Sequence, residues 1–283
     1  MAETDLRPMT LGELLDRTFT LYRNNFLLFA GIIALPLLAY MGVSIGFTVW
    51  TSGMTTTRGN PALNPAYIGG VFLGLFVGFA IYMVMIEMAH AATVFAVSDL
   101  YLGRTPTVRQ SFARLKGRIL RLLGVAILCG LIVGAGFIAL FIPGIILACR
   151  LAVAVPVTML EDEYPAAAIS RSMELTKGFA MQVFLIGLLI WVISFGVSML
   201  FQSPFFFLIA MQKNGLLPLG MQILQHLCTF LAAVLVGPIG TIAFALMYYN
   251  LRVRKEAFDL QHLMTSLGPS SGPVVAPGAS PVA

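Results

Sequence analysis

Charge is what this sequence has least of. Only 10% of its 283 residues are Asp, Glu, Lys or Arg, against about 25% in an average soluble domain. A soluble fold that is 59% hydrophobic could not keep its surface dispersed with so few charges. A soluble globular domain is therefore excluded, and no nucleic-acid partner is expected. Cysteine is scarce too. Cys129, Cys149 and Cys228 each sit in an apolar run, form no CxxC pair, and read as small hydrophobes. The three histidines, His90, His226 and His262, are too dispersed for a metal-ligand spacing. There is no HExxH, and no GxSxG, Walker loop or GxGxxG appears where a strand precedes a helix. A non-enzyme without cofactor or metal is expected. No cleavable signal peptide is expected either, because the first apolar run begins only near Phe26.

What the chain does have is apolar length. No charge falls between Asn24 and Thr57. Runs over residues 26–50, 66–95, 122–142, 145–160, 179–201 and 219–249 are each read as a membrane span, which needs about 20 residues. Backbone groups in lipid must bond within the segment, so these are helices. A β-barrel would show alternating polarity. The fold expected is an all-α transmembrane bundle of six spans, with Pro143-Gly144 as the tight turn between spans three and four. Fourteen bases flank one set of span ends: Arg7, Arg17, Arg23, Arg104, Arg109, Arg114, Lys116, Arg118, Arg121, Arg171, Lys177, Arg252, Arg254 and Lys255. Only Arg58 and Lys213 flank the other. The positive-inside rule puts the fourteen, and both termini, in the cytoplasm. Trp50, Tyr67, Tyr248 and Tyr249 fall at span ends, where amphipathic rings favour the membrane interface.

Three segments beside the spans share a design. Leu11, Leu14, Leu15, Phe19, Tyr22 and Phe26 fall at spacings of three and four, one face of a helix. Thr10 and Glu13 make a capping box. Thr107 and Gln110 repeat it, and Pro165 suits the first turn of a third helix. Phe19, Phe112 and Met173 each precede a base by four residues, at Arg23, Lys116 and Lys177. The pattern predicts three copies of an interfacial helix followed by a transmembrane hairpin, with residues 10–24, 107–118 and 166–177 helical and lying nearly parallel to the bilayer. The membrane domain is expected to cover residues 1–264. Residues 265–283, rich in Pro, Gly, Ser and Ala and without charge, are expected to be a disordered tail.

These stretches resemble a known family. Arg7-Pro8-Met9-Thr10-Leu11-Gly12-Glu13, with Leu15-Asp16-Arg17 and Leu21-Tyr22-Arg23, is similar to the opening of the glycerophosphoryl diester phosphodiesterase membrane-domain family. Pro143-Gly144 with Arg150 and Pro156 fits it. So do Glu161, Arg171-Ser172 and Leu175-Thr176-Lys177-Gly178, and Tyr248-Tyr249-Asn250-Leu251-Arg252 with Phe258-Asp259. The resemblance covers about residues 6–262. Some relatives fuse this module to a hydrolytic barrel. Here only about 30 residues follow the last span, too few for a barrel of about 250, so the resemblance implies the membrane module without that activity.

Two groups of polar residues are candidate sites. Glu87 and His90 share a helix face at i, i+3, and Arg150 lies in the short fourth span. Ionisable groups there are functional candidates, though Glu87 near the inner boundary has headgroup-level solvation as its blander reading. Arg150 either snorkels outward or binds a headgroup or a backbone carbonyl. A direct Glu87–Arg150 pair is not expected, because counting from the turns separates their depths by about 20 Å. The second group is Glu161 with Arg171 and Lys177. The Glu161-Asp162-Glu163 run binds a cation, pairs with Arg171, or simply favours a helix N-terminus. Gly70, Gly74 and Gly78, and Gly130 with Gly134, are read as close-packing faces, and Pro36, Pro204 and Pro238 as bends or interruptions. The expected function is a non-enzymatic multi-pass module of the bacterial inner membrane. It would act through its basic face on anionic lipid headgroups or another membrane protein. A permease for a small or lipid-like solute is the alternative.

Overall fold

The computed structural model describes residues 9–57, 65–212 and 217–266, side chains at 55–57 and 257–266 excepted. The described residues form ten helices: α1 (Leu11–Asn24), α2 (Phe26–Thr57), α3 (Pro65–Tyr101), α4 (Val108–Ala113), α5 (Ile119–Ala139), α6 (Phe141–Leu151), α7 (Ala154–Leu160), α8 (Pro165–Thr176), α9 (Ala180–Met211) and α10 (Leu219–Ser266). Six of them, counting α6 and α7 as one, are long and apolar enough to cross a membrane. They pack as three antiparallel hairpins, α2/α3, α5/α6–α7 and α9/α10, and α10 touches both other hairpins. The chain is a multi-pass α-helical membrane protein. The tail expected at 265–283 lies outside the described residues, except Thr265 and Ser266, which still belong to α10.

The triplication written in the sequence is built in three dimensions. Each outgoing span, α2, α5 and α9, begins three residues after its base, Arg23, Lys116 or Lys177. Five residues before the base stands a buried hydroxyl, at Thr18, Ser111 and Ser172. Six residues after it come Phe29, Leu122 and Val183, and nine after it Ile32, Val125 and Ile186. All nine side-chain positions are 2% exposed or less. The chain breaks between each span and the helix that precedes it. Gly117 and Gly178 make the break with φ of +84° and +89°, a conformation that glycine adopts without the steric penalty of a Cβ. The first copy breaks at Asn25 instead.

The copies also differ. Thr10 and Tyr164 cap their helices eight residues before the buried hydroxyl, whereas Thr107 does so only four before. Consequently α4 has six residues and ends in turns over 114–118, instead of the helix expected to residue 118. Both capping boxes form, and Pro165 opens α8. α1 does not lie flat. Met9 N–H bonds the Asn250 Oδ1 at 2.9 Å, and the Tyr22 hydroxyl donates to the Leu235 carbonyl at 2.5 Å. Those anchors are fifteen residues apart on α10, about 22 Å, so α1 leans along that helix.

The middle hairpin is short. α2 and α9 have 32 residues each, but α5 has 21. Since all three start in register, the middle turn stops about 16 Å below the other two. The turn is one extended residue, Leu140. Pro143-Gly144 is not the turn, as expected from sequence, but part of the first turn of α6, where Pro is tolerated. Gly144 lets α6 approach α5: a Cβ there would lie 2.6 Å from the Phe137 ring, and one at Gly136 would lie 3.0 Å from the Gly144 Cα. The expected Gly130/Gly134 face does not pack, with nothing within 4 Å of either position. Gly70 and Gly74 do, seating Trp50 and Phe47. The returning helix of this hairpin breaks at Ala152 and Val153, because Pro156 cannot donate to the carbonyl four residues back. Pro36, Pro204 and Pro238 leave their helices uninterrupted.

The core lies at the basic end. Its main cluster joins the inner ends of the three returning helices, around Val94–Val97, Val153–Met159 and Ile242–Leu251, to the three repeat faces. The opposite halves of α2, α3, α9 and α10 present exposed Phe, Leu, Ile and Val, as a lipid-facing surface does.

Candidate functional site

The basic end is a network of ion pairs around the acids Asp99, Glu161, Asp162 and Glu256. Glu161, the last residue bounding α7, accepts from the Tyr248 hydroxyl at 2.8 Å and pairs with Arg171 Nε at 3.4 Å. Arg171 also reaches Glu256 at 3.0 Å, which Arg252 holds at 2.8 Å. Asp162 takes a φ of +60°, unusual for a residue with a Cβ. Arg121 secures it through both the carboxylate, at 2.8 Å, and the carbonyl, at 3.0 Å, with Arg118 at 3.3 Å. Asp99, buried at the end of α3, lies 3.0 Å from Arg114 and 3.7 Å from Arg104. Asn250 closes the ring by clasping the Met9 backbone, which Arg254 also bonds at 2.6 Å. Lys255 donates to the Glu174 carbonyl, and Arg17 lies 5.0 Å over the Tyr101 ring.

Of the cytoplasmic-face candidates, the structure brings Glu161 and Arg171 together and leaves Lys177 apart. Of the readings open for the acidic run, pairing with Arg171 is the one formed. No group of three His, Cys, Asp or Glu that could hold a metal occurs among the described residues. Nine of the bases at this end are engaged, as above. Four are not: Arg23, Arg109, Lys116 and Lys177 are exposed and make no ion pair or hydrogen bond among the described residues. Three of these four are the equivalent bases of the repeat.

Two of the three intramembrane candidates, Glu87 and His90, meet at a cavity of about 300 Å³ between the hairpins, which Arg150 does not line. Glu87, His90 and Val94 of α3 line it, with Ala152, Val155 and Pro156 from the broken return helix, Ile190 of α9, and Gly237, Gly240, Thr241 and Phe244 of α10. His90 Nδ1 is 3.9 Å from Glu87 Oε2, and that oxygen is buried without a hydrogen-bond donor. Glu87 therefore sits at the level of Ala152, two residues from Arg150, and the expected 20 Å separation in depth is wrong. The count started from a turn assumed to reach the far interface, and the middle turn falls short of it. Arg150 still does not pair with Glu87. Its backbone carbonyl accepts from Ser172 at 2.9 Å and Thr176 at 3.1 Å, while its half-buried guanidinium has no partner among the described residues.

A larger groove of about 860 Å³ lies between α2 and α3. It is mainly apolar, and nearby the Thr48 hydroxyl and His226 Nε2 approach to 2.9 Å.

Sequence reasoning missed Asp99, Asn250 and Thr241 as site residues, and did not foresee that Tyr248 is fully buried within the protein. A polar residue ending each returning apolar run, at Asp99, Glu161 and Asn250, was the available signal. Comparison with protein-family models, curated proteins and solved structures found no match to this chain.

Proposed function

We propose that this protein is a non-enzymatic module of the bacterial inner membrane, with cytoplasmic termini, that organises anionic phospholipid headgroups at its basic face. The observation carrying this reading is the contrast among its bases. Nine are consumed by the protein's own acids, carbonyls and rings, yet Arg23, Lys116 and Lys177 stay exposed and unpaired among the described residues in all three repeats. Each stands at the entry to a span, where a headgroup phosphate would lie. A base near an anionic membrane surface contributes about 1 kcal/mol, so three in register would favour anionic over zwitterionic lipid. The resemblance to the membrane-domain family described above agrees with a module lacking its own chemistry. Purification of the full chain from native membranes, with copurifying lipids identified by mass spectrometry, tests this. Enrichment of anionic lipid over the bulk membrane, falling as salt rises, is expected. A bulk-like lipid composition contradicts it, and a stoichiometric protein partner instead would move the role to protein assembly.

A second reading, a permease for a small or lipid-like solute, is favoured by one feature: the Glu87–His90 cavity has Ala152, Val155 and Pro156, at the break between α6 and α7, in its wall. Broken helices and intramembrane charge are the usual marks of a transport site. Solute flux into proteoliposomes tests it.

A further inference from the structure

We propose that the Glu87–His90 cavity binds a small organic ammonium group, with Glu87 as its counter-ion. This site lies away from the unpaired bases and selects the opposite charge, so it stands or falls independently of the headgroup reading.

The cavity presents one carboxylate and no Lys or Arg. Glu87 Oε2 is buried and receives no hydrogen bond among the described residues, and a buried acceptor left unmade costs about 1–3 kcal/mol, more when charged. A ligand N–H repairs that deficit. His90 Nδ1, 3.9 Å from the same oxygen, is too far for a hydrogen bond. The two groups can both contact an ammonium placed between them. Thr241 adds a hydroxyl on the facing helix. The remaining wall is apolar, with Phe244, Ile190 and Val155 suited to a short carbon body.

A bare metal ion fits less well. Hard cations take about six or more oxygens, and the lining side chains supply oxygen only from Glu87 and Thr241. About 300 Å³ is the space of about ten waters, at the small end of ligand sites. The ammonium could belong to a free amine or to the ethanolamine headgroup of a phospholipid, which share this chemistry.

The test uses the full chain in phosphatidylcholine nanodiscs, with n-butylammonium and its neutral counterpart n-butanol as probes, read by ligand-observed NMR against empty discs. Wild type should bind the amine at least tenfold more tightly than the alcohol, and Glu87→Gln should abolish that preference. Equal affinity for the two probes, or a preference surviving Glu87→Gln, overturns the proposal. If Glu87→Gln fails to reconstitute, the wild-type comparison decides alone. Adding phosphatidylethanolamine to the discs separates the sources: displacement of butylammonium assigns the site to the headgroup, and undiminished binding assigns it to a free amine.

Discussion

Tyr248→Phe should destabilise the protein more than Arg171→Met, although the second breaks ion pairs to Glu161, Glu174 and Glu256 and the first only removes a hydroxyl. Glu174 and Glu256 are exposed partners that contribute little. Both side chains serve Glu161, from opposite sides. Tyr248 is fully buried and donates at 2.8 Å. A hydrogen bond to a charged group is worth about 1.5–3 kcal/mol. Glu161 keeps slight exposure, 16% of its side chain, so the lower half of that range applies. The Arg171 contact is longer, 3.4 Å, and its side chain is 31% exposed. Pairs of that kind contribute about 0.2–1 kcal/mol. The two losses should not add. Each partner covers for the other, and removing both leaves a mostly buried carboxylate unsatisfied, so the double variant should cost about 1 kcal/mol more than the sum. Adding Glu161→Gln to the double variant should then recover part of the loss. Equilibrium unfolding in mixed micelles, followed by Trp50 and Trp191 fluorescence, gives all four values. A larger cost for Arg171→Met, or strict additivity, would refute the reasoning.

Three further outcomes are expected. Gly144→Ala, whose Cβ would meet the Phe137 ring at 2.6 Å, should cost about 1–3 kcal/mol by overpacking, whereas Gly130→Ala, with open space around it, should be neutral in the same unfolding assay. Gly117→Ala and Gly178→Ala each force a Cβ into positive φ and should cost about 1–3 kcal/mol, read as a lower thermal midpoint in detergent; unchanged midpoints would mean the breaks between repeats carry no strain. In a variant lacking the native cysteines, single cysteines at Thr105 and Ser170, both exposed, should be shielded from an impermeant thiol reagent in whole cells, and those at Gly53 and Gln212 labelled; the reverse pattern would invert the topology.

Span number and helical class were legible because apolar length is a local property: a bilayer needs about 20 residues and each run supplies them. Local caps were legible for the same reason. Thr10 with Glu13 and Thr107 with Gln110 form the bonds their spacing implies. Even the repeat was readable from Arg23, Lys116 and Lys177, and burial then extended it to nine positions. Depth was not legible. It depends on where a turn sits in the bilayer, and a middle hairpin three turns short carried Arg150 and Glu87 to neighbouring levels. Partner choice was legible only in part. The Arg171 pairing could be foreseen from ten residues away, but Tyr248 reaches Glu161 across 87 residues of chain, which no spacing rule spans. The same holds for Asn250 and Met9, 241 residues apart. Pro156 carried a break that the apolar run concealed.

Native mass spectrometry of Arg23→Gln/Lys116→Gln/Lys177→Gln beside wild type, each reconstituted with equal phosphatidylglycerol and phosphatidylcholine, is the most direct test of the headgroup role. These three side chains are exposed and unpaired among the described residues, so the variant should fold with an unchanged thermal midpoint. The account predicts that wild type retains phosphatidylglycerol in preference to phosphatidylcholine and that the variant loses most of that preference. Equal retention of phosphatidylglycerol by the two proteins would contradict it.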